Sequence, residues 1–411
     1  MTPTDTNRLD LAIAGGSPVR TQPMAPWPVF DDHQIEAVTD VLRSGRTNYW
    51  TGDVGRQFEN AFSDFTGTEH AVAVANGTVA LELALFALEV GPGDEVIVPP
   101  RTFVATASAV MMRGATPVFA DVDPISQNIT RETIEAVITD RTRAVIVVHL
   151  AGWPADMDPI MSLADTHNIK IIEDCAQALG ATYNGRSVGS IGHVGAFSFC
   201  QDKIMTTGGE GGMLTTSDEQ IWKRAWSFKD HGKDYDIVYD QKPHDGISFR
   251  WLHTTSGTNW RMTEMQAAVG LSALPMVTEW VERRRENAAV LNFCMKNISA
   301  LRLTSPCAGV GHAYYKYYVF VRPELLAPGW DRTRVAQAVV AEGIPCFTGS
   351  CSEIYLEEAF DATARPAERL STARELGESS LMLLVHPTLT DRMIEDTCTA
   401  MNKVFKVAGS Q

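Results

Sequence analysis

Three short segments of the chain combine residue types that can hold a phosphate, a cationic ring and a covalent adduct. The first is Asn76-Gly77-Thr78, which follows an apolar run and precedes a leucine-rich stretch. A helix that begins here exposes unpaired amides and a positive dipole end, Gly77 permits close approach, and the Thr78 hydroxyl can donate to a phosphate. In isolation, an N-capped turn without a ligand explains this motif more simply.

The second segment is Glu173-Asp174-Cys175-Ala176-Gln177, which ends an apolar run over residues 169–172. The carboxyl ends of strands form the ligand crevice of open α/β sheets, so Asp174 is placed where a carboxylate can meet a cationic ring nitrogen. A helix cap or a loop acid explains Asp174 equally well, and both interpretations stay open.

The third segment surrounds Lys203, which follows Phe197-Ser198-Phe199 and precedes four glycines between positions 208 and 212. A lone lysine is usually a solvated surface residue. Here the glycines let the backbone pass close to a ligand, a setting that suits a lysine that forms a Schiff base. The glycines do not form a phosphate-binding P-loop, because the Gly-Lys-Ser/Thr ending is absent.

Taken together with Phe103, an aromatic side chain for ring stacking, these segments supply a phosphate cradle, an acid for a pyridinium nitrogen and an amine nucleophile. Pyridoxal phosphate (PLP) is a cofactor that needs all four groups. A dinucleotide-binding oxidoreductase is the alternative from another class. That alternative lacks the Gly-x-Gly-x-x-Gly turn between a strand and a helix, and it leaves Lys203 without a role.

The elements that position these segments alternate between β-rich runs and helical stretches from about residue 70 to 230, which predicts a mostly parallel sheet covered by helices. The predicted strands are 71–75, 95–98, 117–120, 143–149, 170–173, 195–199 and 212–215, and the predicted helices begin near Thr78, Val104, Arg131, Pro159 and Asp218.

The C-terminal part of the chain has a different pattern. Residues 263–291 predict one or two helices broken at Pro275, and residues 314–321, 334–342 and 391–404 predict a strand and two helices. We therefore predict an N-terminal extended arm (1–30), a large cofactor-binding α/β domain (31–260), and a bridging helix with a small α+β domain (261–411).

The composition limits the possible partners and compartments. The formal net charge of -15 would repel nucleic acid and anionic membrane surfaces, and no apolar run is long enough to span a bilayer. We expect a cytoplasmic protein. The seven cysteines form no Cys-x-x-Cys pair and no histidines have metal-ligand spacing, so free thiols and no metal site are predicted.

At the level of whole motifs, the chain resembles the sugar aminotransferases of the DegT/DnrJ/EryC1/StrS family, which are PLP-dependent transferases of fold type I. The resemblance covers nearly the whole length. The motifs that carry it are Asn76-Gly77-Thr78, residues 100–106, Asp121-Val122-Asp123, residues 149–152, residues 173–177, Phe197-Ser198-Phe199, Lys203 with its glycine loop, and residues 259–264.

The resemblance implies a role for each of these residues around the cofactor ring. Lys203 would carry PLP as a Schiff base and later shuttle a proton, while Asp174 would pair with the pyridine nitrogen. Gln177 would contact the ring hydroxyl, and Phe103 would stack on the ring face.

The resemblance also implies how the phosphate is held. Gly77, Thr78 and Ser198 would bind it, joined by Asn259 from the neighbouring subunit of a homodimer. Each active site would therefore be shared between two subunits.

The reaction that the family implies is transfer of an amino group from glutamate or glutamine to a nucleotide-linked keto-sugar. A related branch removes a hydroxyl from the sugar and has histidine in place of the lysine, so Lys203 favours transamination. The same cofactor site would serve a keto-cyclitol or an aminobenzoate-type precursor. A regulatory homologue without turnover is a third interpretation, against which the complete set of Asp174, Gln177, Ser198 and Lys203 argues.

The acceptor-binding residues are left open by the sequence. Arg101 is expected either to bind a phosphate or carboxylate of the substrate or to hold the dimer interface. Cys175 is interpreted as a small buried apolar side chain, and the loop 346–355 is expected to influence acceptor choice. Further candidates for the sugar-nucleotide pocket are Arg250, Arg261, His312, Tyr315 and His386, of which His386 is also explained as a turn histidine and Tyr315 as a core or interface residue.

Overall fold

The structure is a computed structural model that describes residues 10–240, 248–360 and 364–409. The strands are β1 (His70–Val74), β2 (Glu95–Val98), β3 (Thr116–Phe119), β4 (Thr142–Val148), β5 (Lys170–Asp174), β6 (Thr182–Tyr183), β7 (Arg186–Ser187), β8 (Val194–Ser198), β9 (Gly212–Thr216), β10 (Leu301–Leu303), β11 (Val310–Gly311), β12 (Tyr317–Val321), β13 (Cys346–Phe347) and β14 (Ser380–Leu383). The α-helices are α1 (Asp32–Ser44), α2 (Val54–Thr66), α3 (Gly77–Ala87), α4 (Ala105–Met112), α5 (Arg131–Glu135), α6 (Met157–His167), α7 (Glu219–Lys229), α8 (Tyr235–Tyr239), α9 (Glu264–Ala273), α10 (Val277–Met295), α11 (Arg332–Ala341), α12 (Ser371–Ser379) and α13 (Asp391–Ala408).

The large sheet has seven strands in the order β1-β9-β8-β5-β4-β2-β3. Only β9 among them runs antiparallel to its neighbours, β1 and β8, and the other pairs are parallel. All seven predicted strands are confirmed, with ends shifted by one residue at most. The predicted α/β class with a mostly parallel sheet is therefore confirmed.

Helix α3 shows why the segment after Ala75 folds as it does. The Asn76 side chain caps the helix by accepting a hydrogen bond from the amide of Val79 at 3.0 Å. The helix packs against β8 and β9 and also against α4 and α7, so nearly all of its faces are apolar. This packing holds the first turn of α3 at the edge where the parallel strands end.

The smaller sheet is antiparallel, in the order β10-β12-β14-β13, and α11, α13 and part of α10 pack around it. The predicted break at Pro275 is confirmed, because a single 3₁₀ turn separates α9 from α10. The predicted strand at 314–321 is shorter than expected. It begins at Tyr317, since Tyr314 has a φ of 47°, which strand residues do not adopt.

The N-terminal segment lies along the small sheet of its own chain. Leu11 is buried in the core of the small sheet, and the amide of Ala12 donates to Glu342 Oε1 at 2.9 Å. The indole of Trp27 donates to the carbonyl of Lys203 at 2.8 Å. The arm predicted at residues 1–30 thus contacts the rest of its own chain at Leu11, Ala12 and Trp27. Its first nine residues lie outside the described residues, and its extent stays a prediction.

The prediction of seven free cysteines is wrong for one pair. Cys294 on α10 and Cys398 on α13 form a disulfide with a Cα–Cα distance of 5.9 Å. The two residues are 104 positions apart, so their proximity arises from the packing of α10 against α13 and from no local spacing. The other five cysteines are free, and Cys175 is buried as expected.

Within the described residues, no helix is both long and apolar enough to cross a membrane.

Candidate active site

A cavity of about 1040 Å³ lies between the large sheet and the small sheet, at the carboxyl ends of β4, β5 and β8. Its volume is at the upper end of the range for small-molecule sites. Eight of the residues singled out from the sequence line it: Gly77, Thr78, Phe103, Asp174, Gln177, Ser198, Lys203 and Tyr315.

The phosphate cradle predicted from the sequence is a tightly packed corner. A Cβ atom on Gly77 would lie 2.6 Å from Cβ of Ser198, so only glycine lets the first turn of α3 approach the end of β8. Gly212 is crowded in the same way, since its Cβ would lie 2.4 Å from the carbonyl oxygen of Asn76. The corner brings the free amides of the helix start together with the hydroxyls of Thr78 and Ser198, which is a suitable donor set for a phosphate.

Asp174 ends β5 and is held by two hydrogen bonds. Its Oδ2 accepts from the hydroxyl of Thr106 at 2.9 Å, and its Oδ1 accepts from the amide of Ala176 at 3.1 Å. Burial raises the pKa of Asp174, and the Ala176 amide, the Thr106 hydroxyl and the charge of Lys203 offset this rise only in part. A carboxylate that burial makes costly to ionise gains most from a cationic partner, such as a protonated ring nitrogen.

Gln177 and Phe103 present groups that suit the face and the edge of an aromatic ring. The Oε1 atom of Gln177 accepts from the amide of Ala151 at 2.8 Å. This bond fixes the orientation of the side-chain amide, so its NH₂ group is left to donate into the cavity. The Phe103 side chain lines the cavity but is 67% exposed in the single chain, and its ring is therefore available for stacking.

Lys203 has a firmly held backbone and an unrestrained amine. Its amide donates to the carbonyl of Cys200 at 3.1 Å, and its carbonyl accepts from Trp27. Its Nζ lies 5.0 Å from the centre of the Tyr315 ring, and no carboxylate of the described residues forms an ion pair with it. The amine can therefore reach a cofactor aldehyde without first breaking an ion pair.

A buried histidine and glutamate brace the strand that carries Asp174. The two oxygens of Glu173 accept from the amides of Gly189, Ile191 and Gly192 at 3.0, 2.7 and 2.6 Å. His149 accepts a backbone hydrogen bond at Nδ1 and contacts Glu173 through Nε2 at 3.0 Å, so its proton is on Nε2.

The surroundings of Glu173 decide its charge. Burial raises the pKa of Glu173, but the hydrogen bond and charge of His149 and the backbone amides outweigh this effect, so its pKa lies below the usual range. The sulfur of Cys175 is within 4.8 Å of these ligand atoms, yet burial raises the pKa of its thiol. Because backbone amides occupy the lone pairs of Glu173 and His149, we interpret this group as a brace and not as a metal site.

Comparison with known proteins decides the family. The model described as the DegT/DnrJ/EryC1/StrS aminotransferase family matches residues 28–402. The chain belongs to this family. The predicted resemblance is thereby confirmed, and the protein is a PLP-dependent aminotransferase.

Three similar proteins illustrate the match. An aminotransferase from Psychrobacter cryohalolentis, known from an X-ray structure, is 53% identical, with a TM-score of 0.91 and coverage of 93% of this chain and 99% of that chain. GDP-perosamine synthase of Caulobacter vibrioides is 37% identical over 363 residues, or 87% of this chain and 92% of that protein. L-glutamine:2-deoxy-scyllo-inosose aminotransferase of Streptomyces kanamyceticus is 36% identical over 393 residues, or 93% of this chain and 91% of that protein.

The cavity fits the cofactor that this family uses. The crowded corner at Gly77 leaves only backbone amides and hydroxyls for a phosphate, Asp174 offers a buried carboxylate, and Lys203 offers an amine. These groups lie in one cavity, as the sequence predicts.

Arg101 is a buried side chain that is not among the residues lining the cavity. It is fully buried, its Nε donates to Gln127 Oε1 at 2.9 Å, and its guanidinium lies 5.4 Å from the centre of the Tyr318 ring. Both Nη atoms find no hydrogen-bond partner among the described residues. Both interpretations of Arg101, a substrate contact and a contact at the dimer interface, stay predictions.

Arg250, Arg261 and Asn259 are also absent from the cavity lining. Arg261 is committed to an ion pair with Asp230 at 2.6 Å. Arg250 donates to the carbonyl of Ile237. Asn259 is exposed in this chain, so its predicted contribution to the neighbouring subunit stays a prediction.

Two histidines proposed for the substrate pocket are neutral side chains with local partners. Burial lowers the pKa of His312 to about 3, and its Nδ1 accepts from the amide of Tyr314 at 2.9 Å. Burial also lowers the pKa of His386 to about 4, and its Nδ1 lies 2.9 Å from the hydroxyl of Thr388. The turn interpretation of His386 describes its contacts, whereas Tyr315 does line the cavity.

The sequence does not single out several of the lining residues. Thr106 follows Thr102 by four residues, and their hydroxyls lie 2.9 Å apart, a spacing that could have drawn attention to the start of α4. Lys316 is hidden in the tyrosine-rich segment before β12 and has no motif of its own. The wall from the small sheet and its neighbouring loops includes Tyr318, Phe347, Gly349, Ser350, Cys351, Ile354, Glu357, Met382 and Leu384, and it overlaps the loop 346–355 that we expected to influence acceptor choice.

Proposed function

We propose that this enzyme transfers an amino group from glutamate or glutamine to the keto group of a nucleotide-linked sugar. The observation that carries the proposal is the lining of the cavity. Lys203 and Asp174 belong to its inner end, the part formed by the large sheet and its loops, and the small sheet and its loops form the part called the outer end. A cavity of about 1040 Å³ leaves room for a large acceptor beside the cofactor. A relative that covers most of the chain is a GDP-perosamine synthase, which supports a nucleotide-linked acceptor.

The residues have distinct roles in this proposal. PLP supplies a ring that accepts the electron pair released when a proton leaves the substrate carbon. Asp174, as an anion, keeps the ring nitrogen protonated. Lys203 holds the cofactor covalently and, once released, moves a proton at its Nζ. Gln177 donates to the ring hydroxyl, and Phe103 covers the ring face.

The direct test uses the holoenzyme in two steps. Glutamate or glutamine is added first, and loss of the visible absorbance of the bound cofactor reports the first half-reaction. A panel of nucleotide-linked keto-sugars is then added, and mass spectrometry detects an aminated product. Recovery of the absorbance with one of these sugars supports the proposal. If none of the sugar nucleotides in the panel reacts, the proposal is contradicted.

A keto-cyclitol acceptor is the second candidate. It is favoured by the relative from Streptomyces kanamyceticus, whose name gives 2-deoxy-scyllo-inosose as its substrate. Adding free keto-cyclitols and aminobenzoate-type precursors to the same panel separates the candidates. A regulatory homologue would fail already at the first step, because no donor would change the absorbance.

The proposal also includes a homodimer in which Asn259 reaches the phosphate in the neighbouring subunit's cavity. We further propose that the protein is cytoplasmic and that its domains divide near residues 30 and 260. The proposed homodimer is supported by the high exposure of Phe103, a cavity-lining side chain that a partner subunit would cover. A mixed dimer tests the shared site. Lys203→Ala and Asn259→Ala proteins are each expected to be impaired, and mixing them after unfolding is expected to restore activity in dimers that contain one intact site.

A further inference from the structure

More acids than cations line the cavity, and an acidic amino donor needs a cation to bind its carboxylate. Among the described lining residues, the acids are Asp174, Asp202, Glu210 and Glu357, and the only cations are Lys203 and Lys316. Lys203 is assigned to the cofactor. A donor carboxylate that enters the cavity therefore meets one remaining lysine of this chain, Lys316.

Lys316 is held on the same side of the cavity as Lys203. Its Nζ lies 3.2 Å from Oδ2 of Asp202, the residue directly before Lys203, and 4.7 Å from the centre of the Tyr315 ring. The hydroxyl of Tyr315 donates to the same Oδ2 atom at 2.6 Å. This contact set fixes the ammonium beside Asp202, which directly precedes Lys203 in the chain.

The ion pair with Asp202 leaves Lys316 able to bind a further anion. An ammonium has three donors, and Asp202 engages one of them. The Lys316 side chain is 16% exposed, while that of Asp202 is 51% exposed. Lys316 is therefore less solvated than Asp202, and its remaining donors are left for a further anion.

The protonation states are consistent with this arrangement. Burial lowers the pKa of Lys316, and the charge and hydrogen bond of Asp202 oppose this effect. Burial raises the pKa of Asp202, but the Tyr315 hydroxyl and the two lysines outweigh it, so the pKa lies below the usual range. Asp202 is thus a stable anion that favours the charged form of Lys316.

We propose that Lys316 binds a carboxylate of the amino donor, an assignment that rests on the proposed function. A carboxylate without a partner would be costly to place in a partly buried cavity, and a lysine ammonium supplies a charge-assisted hydrogen bond. The diphosphate of a nucleotide-linked acceptor is the other anion that could meet this lysine, and the experiment below separates the two.

The experiment compares holoenzyme carrying Lys316→Gln, Lys316→Arg or Lys406→Gln. Lys406 is exposed in the last turn of α13 and lies outside the cavity lining, so its variant controls for the loss of one positive charge. Glutarate, a dicarboxylate that has no amino group to transfer, is titrated by calorimetry. Single-turnover kinetics then give the apparent Kd for glutamate in the first half-reaction and for the sugar nucleotide in the second.

The expected result is an increase of about tenfold to hundredfold in the Kd of glutarate and of glutamate for Lys316→Gln, the loss expected for a hydrogen bond to a charged group. Lys316→Arg is expected to recover most of the affinity, and Lys406→Gln is expected to resemble the wild type. The Kd of the sugar nucleotide is expected to stay within about twofold.

Two outcomes overturn the assignment. Either Lys316→Gln binds glutarate as tightly as the wild type does, or it weakens the sugar nucleotide and leaves glutarate unchanged, which assigns the lysine to the acceptor. Failure of the proposed function is seen separately, as a wild-type holoenzyme that binds glutarate and yet aminates no sugar nucleotide.

Discussion

The two ends of the cavity differ in how firmly their residues are held. At the inner end, Asp174 and Gln177 follow or end a buried strand, and each has a hydrogen bond of 2.8 to 3.1 Å that fixes its orientation. At the outer end, Phe347 lies on the two-residue strand β13 and is 50% exposed, and Cys351 lies in the loop that follows. The chemistry thus has a rigid support, while the acceptor wall can change without disturbing it.

The largest effect is expected from a change at the rigid end. Asp174→Asn removes the anion that keeps the ring nitrogen protonated, so turnover is expected to fall by about 10² to 10⁴-fold. Steady-state kinetics of the holoenzyme measure this fall, and the absorbance of the bound cofactor checks that the site is loaded. Turnover within about threefold of the wild type would contradict the assigned role of Asp174.

The brace behind Asp174 is expected to matter for stability. Glu173→Gln places an NH₂ group against backbone amides that donate to Glu173, so the free energy of unfolding is expected to fall by about 3 kcal/mol at neutral pH. Urea unfolding measures this, with the exposed Glu324→Gln as a control. Equal stability of Glu173→Gln and the wild type would contradict the role of the brace.

The sign of the pH dependence follows from the direction of the pKa shift. Because the pKa of Glu173 is lower in the folded protein than in the unfolded chain, its contribution is complete above the unfolded value of about 4.3 and is lost as the pH falls through the folded value. The difference in unfolding free energy between Glu173→Gln and the wild type is therefore expected to shrink below about pH 4.

A smaller effect is expected from the hydroxyl that faces Asp174. Thr106→Val removes a hydrogen bond that lowers the pKa of Asp174, so the acid limb of the kcat/KM profile is expected to move to higher pH by about one unit. Thr106→Ser retains a hydroxyl and is expected to keep the wild-type profile. An unmoved acid limb in Thr106→Val would show that this hydroxyl does not control Asp174.

The smallest effect on chemistry is expected at the outer wall. Phe347→Ala is expected to change the KM of the acceptor by up to about tenfold, while the first half-reaction with glutamate stays within about twofold. Val340→Ala, which is exposed on α11 outside the cavity, is the matched control. A comparable loss in the first half-reaction would remove the distinction between the two ends.

The sequence predicts the inner end because local signals place it. Asn76 caps a helix directly after a strand, and Asp174 ends an apolar run, so the order of elements alone brings both to one edge of the sheet. The ends of the seven strands are predicted to within one residue for the same reason, because buried β-rich runs bounded by turns are visible in the local sequence.

The sequence does not predict which distant side chains meet. The ion pair of Arg261 with Asp230 and the position of Arg101 beside Tyr318 are tertiary contacts that no local pattern indicates. The disulfide between Cys294 and Cys398 joins residues 104 positions apart. Lys316 has no local sequence signal, because its place in the cavity lining depends on tertiary packing next to Asp202.

The most direct test of the account concerns the amine at position 203. Borohydride reduction of the holoenzyme followed by peptide mapping is expected to place the reduced cofactor on Lys203 at close to one label per chain, and Lys203→Ala is expected to carry none. A label on another lysine, or an active wild-type enzyme that cannot be labelled, would contradict the assignment of Lys203 and the mechanism built on it.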